Sequence, residues 1–137
     1  VDNPFDSLLE ICENDNSDIH IVDFHAEATG EKQSLTWAMD GKVSAIIGTH
    51  THVQTRDYRI LPNGTAMMSD VGMCGPYNGV LGTKKETVIK KLWLNEKSRF
   101  EIADKDDSLF NAVVLTIDEN SGKCEKITPI YLIENHI

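Results

Sequence analysis

The segment Gly48-Thr49-His50-Thr51-His52-Val53 follows directly on the apolar run Val43-Ser44-Ala45-Ile46-Ile47. Alternate residues of extended backbone share a face, so an extended reading points both imidazoles the same way. A buried strand ending in such a pair offers two neutral nitrogen ligands on a rigid support. His25 follows another apolar run, Ile19 to Phe24. Three of the five histidines therefore stand at the exits of two predicted strands. The chemistry this implies is metal coordination. A lone histidine is more often a hydrogen-bonded structural residue, but three at adjacent strand exits outweigh that reading.

Polar residues cluster around the three: Asp23, Glu27, Thr29, Glu31, Thr49, Thr51 and Asp70. A ligating histidine usually donates its other N–H to a carboxylate or carbonyl, which fixes its tautomer. Asp23 and Glu27 are the candidates for that support. Glu31 reads instead as a helix-start charge at the positive end of the dipole. Asp23 sits inside an apolar run and needs a specific partner there, because an unpaired buried carboxylate is costly. His20 lies within the first apolar run and reads as a core-edge or surface residue. His136, in the C-terminal tail, carries no signal.

The elements that must position these residues can be read from periodicity. Phe5 to Glu13 has helical spacing, with Phe5, Leu8, Leu9, Ile11 and Cys12 apolar. Ile19 to Phe24 reads as a mostly apolar, central strand. Glu31 to Asp40 reads as a helix with Gly41 just past its end. Val43 to Gly48 is a second buried strand. A strand, a helix and a strand in this order make a βαβ unit with parallel strands. Open α/β sheets bind ligands beyond the carboxyl ends of such strands, where His25, His50 and His52 fall. Arg59 to Pro62, Asn63-Gly64 and Thr65 to Ser69 read as strand, tight turn and strand. Asp70 to Gly82 holds four glycines and a proline. It reads as a loop beside the site, with Asp70, Gly72 and Gly75 as candidates for contact with substrate. Lys84 to Leu94 is an amphipathic helix, and Phe100 to Ala103 is strand-like. Phe110 to Asp118 and Lys126 to Ile133 read as a hairpin.

Composition excludes several function classes. No apolar run approaches the ~20 residues of a membrane span, and no secretory signal pattern is present. The net charge of −9 argues against broad electrostatic binding to nucleic acid or anionic lipid. It permits a nucleotide drawn in by bound cations. Cys12, Cys74 and Cys124 are odd in number and far apart, which points to a reducing cytoplasm rather than a disulfide framework. The 137 residues amount to a single domain with no internal linker. The chain begins on Val1 and leads from Asp2-Asn3-Pro4 into a helix, which reads as the middle of a longer protein.

Three motifs together carry a family resemblance: Val22-Asp23-Phe24-His25-Ala26-Glu27-Ala28-Thr29, Gly48-Thr49-His50-Thr51-His52-Val53-Gln54-Thr55, and Ser69-Asp70-Val71-Gly72-Met73-x-Gly75-Pro76. They resemble the bacterial YmdB-like metallophosphoesterases, calcineurin-like phosphodiesterases that hydrolyse cyclic nucleotides. The resemblance implies a four-layer α/β/β/α sandwich of mixed sheets with two metal ions at the sheet ends. It implies that His25 and His50 hold one ion and His52 the other. The family's remaining ligands are an early Asp, a bridging Glu and two Asn, followed by a His that acts as the acid. They lie in an N-terminal half for which this chain has no matching motifs. The resemblance therefore makes this chain the C-terminal half of the enzyme, with no catalytic acid of its own.

Charge balance agrees with that assignment. Three neutral imidazoles cannot neutralise two metal cations, so a bridging carboxylate must come from elsewhere. Imidazole-rich sites favour iron or manganese, with zinc as a third option. Two other readings stay open at this point. One is a mononuclear hydrolase or hydratase using His25, His50 and His52 with water in the fourth position. The other is an inactive fragment or interaction module with structural histidines. The expected partners are a cyclic nucleotide or other small phosphodiester and a second copy of the chain.

Overall fold

A computed structural model describes residues 2–103 and 107–135 of the chain. The described residues form three helices and seven strands: α1 (Pro4–Asn14), β1 (Ile21–His25), α2 (Thr29–Ala38), β2 (Ala45–Thr49), β3 (Arg59–Ile60), β4 (Ala66–Met68), β5 (Gly75–Pro76), α3 (Lys85–Trp93), β6 (Asp107–Ile117) and β7 (Cys124–Asn135). His136 lies outside the described residues. The chain divides into two compact units, residues 1–72 with 113–129, and residues 73–112 with 130–137. One division falls between Gly72 and Met73, and the other two fall inside β6 and β7.

In the first unit, α1 starts where local chemistry allows it. Asn3 Oδ1 accepts a hydrogen bond from Phe5 N at 3.0 Å, and Pro4 occupies the first helical position, where its missing N–H costs nothing. After α1 the chain makes the expected βαβ unit. β1 and β2 are parallel, with Ile21 beside Ala45, Asp23 beside Ile47 and His25 beside Thr49. β4 adds to β2 in parallel and β3 to β4 in antiparallel, giving the sheet order β1-β2-β4-β3. The sheet is thus mixed, as the sequence predicts.

Both faces of this sheet carry core. On one side Leu8 of α1 and Leu35 and Met39 of α2 pack with Val43 and Ile46, joined by Phe5, Leu9, Cys12, Val22 and Phe24. On the other, Ala45, Ile47, Ala66 and Met68 meet Cys124, Val113, Leu115, Ile117 and Ile127 from β6 and β7. Helices, sheet and second sheet therefore follow as three layers within this unit. Leu35 and Ile46 are each about 1% exposed, and full burial of such a side chain contributes about 1.5–3 kcal/mol.

β1 differs from expectation. Among the described residues it lies at the edge of its sheet. Its burial alternates, with Ile21, Asp23 and His25 exposed and Val22 and Phe24 covered by the helices. An apolar run thus served one face only, because its alternate positions lead to the strand end and to the polar pair Asp23 and His25.

The second unit is described separately. Its part of the three-stranded sheet, ordered β5-β6-β7, pairs Gly75 with Leu109 and Pro76 with Ser108 in antiparallel register. Asn111 is buried and donates through Nδ2 to the Met73 carbonyl at 2.8 Å. The strand expected over Phe100 to Ala103 shrinks to a single bridge, Ile102 to Thr83. α3 forms as its periodicity predicts but buries none of its residues. Leu92 and Trp93 are 79% and 81% exposed.

Candidate functional site

The register of β1 against β2 decides the site. His25 stands directly beside Thr49, and Asp23 is two residues earlier on the same face. Thr49 Oγ1 donates to Asp23 Oδ1 at 2.9 Å. Its oxygen therefore faces His25 Nδ1, 3.1 Å away, as an acceptor. That arrangement assigns the His25 proton to Nδ1 and leaves a lone pair on Nε2. The lone pair is directed at His50: His25 Nε2 and His50 Nδ1 are 3.3 Å apart, with ring centroids at 5.1 Å and an edge-on angle of 72°. Two nitrogens each about 2.1 Å from a shared ion stand about 3.0–3.4 Å apart. The two donors thus fit one transition-metal ion.

His50 and His52 reach their places differently from the extended reading. β2 ends at Thr49, and both histidines lie in the turn beyond it. Their φ angles are 137° and 64°. Strand alternation therefore does not govern them, and the turn geometry does. Non-glycine residues in such regions cost about 1–3 kcal/mol each unless their surroundings hold them. His52 is exposed in this turn. Among the described residues no group of three or more His, Cys, Asp or Glu side chains is arranged to hold an ion. The described imidazole-to-imidazole contact is that of His25 with His50.

What holds the turn is a buried network the sequence reading did not contain. Lys32 of α2 is 3% exposed and Asp70 is 1% exposed, with Lys32 Nζ 3.2 Å from Asp70 Oδ2. Lys32 also donates to the Thr49 carbonyl at 3.0 Å. Asp70 Oδ2 accepts from Thr51 N at 2.7 Å, and Oδ1 from Gly72 N at 2.9 Å. Burial alone would raise the Asp70 pKa, but the Thr51 and Gly72 amides, with Thr51 Oγ1 and Lys32, lower it. A second carboxylate, Asp57, accepts from Gln33 Nε2 at 3.0 Å, from Ser69 N at 3.2 Å and from Ser69 Oγ. Burial opposes its charge, yet the hydrogen bonds from Ser69, Thr55 and Gln33 win and hold its pKa at about 2.

Of the other expected residues, Glu27 and Glu31 are exposed around the start of α2, with Glu31 in its first turn. Thr51 Oγ1 accepts from Val53 N at 3.3 Å, closing the turn locally. His20 precedes β1 rather than lying inside it, partly buried, with Nε2 3.7 Å from Asp15 Oδ2. Gly75 belongs to β5 in the second unit. A signal for Lys32 was nonetheless present. It precedes Leu35, Thr36 and Met39 by three, four and seven positions, which is the spacing of a buried helix face.

A profile described as "YmdB-like protein" matches residues 1–130. This chain belongs to the YmdB-like family. A relative from Bacillus subtilis (strain 168), named a 2',3'-cyclic-nucleotide 2'-phosphodiesterase, is 51% identical over 116 residues, 85% of this chain and 44% of the relative. The crystal structure of a novel phosphatase from Mycoplasma pneumoniae superposes with a TM-score of 0.91 at 42% identity, covering 97% of this chain and 47% of that one. A hypothetical protein from Thermus thermophilus superposes at 0.89 with 37% identity, covering 97% and 52%. The YmdB-like chain thus spans about half the length of the relatives it matches. Its mixed α/β fold is that of its structural neighbours.

Proposed function

We propose that this YmdB-like chain supplies one side of the active site of a dinuclear, metal-dependent phosphodiesterase acting on 2',3'-cyclic nucleotides. The observation that carries the reading is the 3.3 Å separation of His25 Nε2 and His50 Nδ1 at the carboxyl ends of two parallel strands. His25 and His50 would hold one ion, and His52 would serve the second. Iron or manganese suits these donors best, with zinc next. When bound, such ions activate a hydroxide and stabilise the negative charge that develops on the phosphoryl oxygens.

The chain's own residues do the positioning. Asp23 orients the Thr49 hydroxyl, Thr49 fixes the His25 proton on Nδ1, and the Nε2 lone pair would be free for an ion. The bridging carboxylate and proton donor would come from elsewhere in the full-length protein. A reducing cytoplasm suits the three free cysteines. The name of the Bacillus relative supports the cyclic-nucleotide substrate.

The test is hydrolysis of 2',3'-cyclic AMP by the purified full-length protein before chelation, after chelation and after manganese is restored. Activity lost with chelator and regained with manganese is the expected result. Undiminished turnover in the chelated protein would remove the metal from the mechanism. No turnover of this substrate with metal present would remove the substrate assignment.

A further inference from the structure

We propose that the buried Lys32–Asp70 pair is a positioning device that sets the ligand geometry of His50 and His52. This rests on reading those histidines as metal ligands. The pair brackets His50 along the backbone. Lys32 Nζ holds the carbonyl of Thr49, the residue before it, and Asp70 Oδ2 holds the amide of Thr51, the residue after it. Between these two anchors His50 takes φ 137°, and His52 follows at 64°. Backbone in such regions persists only where the surroundings over-determine it.

Stability alone does not explain the pair. Two wholly buried charges gain little over apolar side chains of similar volume, because desolvation offsets their attraction. What an apolar pair could not supply is the donor to Thr49 O and the acceptor for Thr51 N. The route of the lysine is also built in. A Cβ on Gly48 would stand 2.8 Å from Lys32 Cδ and would overlap the Ser69 carbonyl. The glycine that opens the Gly-Thr-His-Thr-His segment thus clears the path of the stem and lets β2 approach Ser69 closely. Asp70 is locked in turn. Thr55 N donates to its carbonyl at 3.0 Å, and its own N–H donates to Thr55 Oγ1 at 3.0 Å. Neither Lys32 nor Asp70 contacts an imidazole in any of these bonds. Their action on the metal site runs through backbone.

The experiment compares the full-length protein with its Lys32→Met/Asp70→Leu variant, which removes both charges and keeps most of the volume. Three quantities are read: the melting temperature of the metal-free protein, its affinity for manganese ions, and amide exchange at Thr51. The expected result is a folded variant with manganese affinity reduced about tenfold to a hundredfold, the range typical when outer-shell support is removed. The Thr51 amide should exchange slowly in the parent and quickly in the variant. A folded variant with parental manganese affinity would overturn the proposal. If the parent binds no manganese, the metal reading fails, and the exchange contrast at Thr51 alone decides whether the pair holds the turn. If the variant does not fold, a Thr51 amide that exchanges in the parent as fast as an unstructured peptide amide overturns the proposal, and one slowed well beyond that rate supports it.

Discussion

His25 is informative because its neighbours leave it one tautomer. Thr49 gives its proton to Asp23 and so can only accept from His25 Nδ1. Thr49→Val removes that acceptor at nearly constant volume. Metal affinity of the full-length protein should fall about tenfold to a hundredfold, measured by competition with a chelating dye. An unchanged affinity would mean that Thr49 does not orient the ring. Asp57 makes a separate prediction about acid stability. Its pKa is depressed from 3.8 to about 2 in the folded protein, so the folded state binds the proton less readily than the unfolded chain. Its stabilising effect is complete above the unfolded value and is lost as pH falls from about 4 to about 2. Asp57→Asn should lower stability at neutral pH and flatten that acid limb in a urea titration series. Parallel curves for parent and variant would contradict this.

At the scale of elements, the βαβ unit was legible because two apolar runs flank a helix with clear start and stop residues. The antiparallel β3 and β4 around Asn63-Gly64 were legible from turn chemistry, and Gly64 does adopt φ 101°. The one-sided burial of β1 was not legible, since an apolar run does not say whether one face or both will be covered. The turn after β2 was misjudged for a related reason. Periodicity treats His50 and His52 as a continued strand, whereas backbone anchors from Lys32 and Asp70, distant in sequence, bend the chain. Gly48 is where element and site meet. Gly48→Ala would drive a methyl into the Ser69 carbonyl, a backbone atom that cannot step aside. Overpacking usually costs about 1–3 kcal/mol, and this contact belongs at or above the upper end. Urea unfolding of the full-length protein measures it, and a loss below about 1 kcal/mol would show that β2 and Ser69 can separate easily.

For the whole molecule, the sequence conveyed fold class better than burial. Leu92, Trp93, Phe100 and Ile102 carry helical or strand-like patterns, yet all four are more than half exposed. Apolar periodicity promises a face to be covered without saying by what. With these side chains exposed, the 137-residue chain on its own is expected to self-associate as concentration rises, and sedimentation velocity would register it. A monomer across the accessible range would contradict that expectation. The motifs around His25, His50, His52 and Asp70 were readable because their residue types are rare in combination. The Lys32 partner was hidden because lysine on a helix is normally solvated. The central claim is that His25 and His50 share one metal ion while His52 serves another. Metal content of the purified full-length protein tests it most directly, measured for the parent, for His25→Ala/His50→Ala and for His52→Ala. The account predicts two ions in the parent and one in each variant, with phosphodiesterase activity lost in both. Two ions retained in His25→Ala/His50→Ala, with turnover intact, would contradict it.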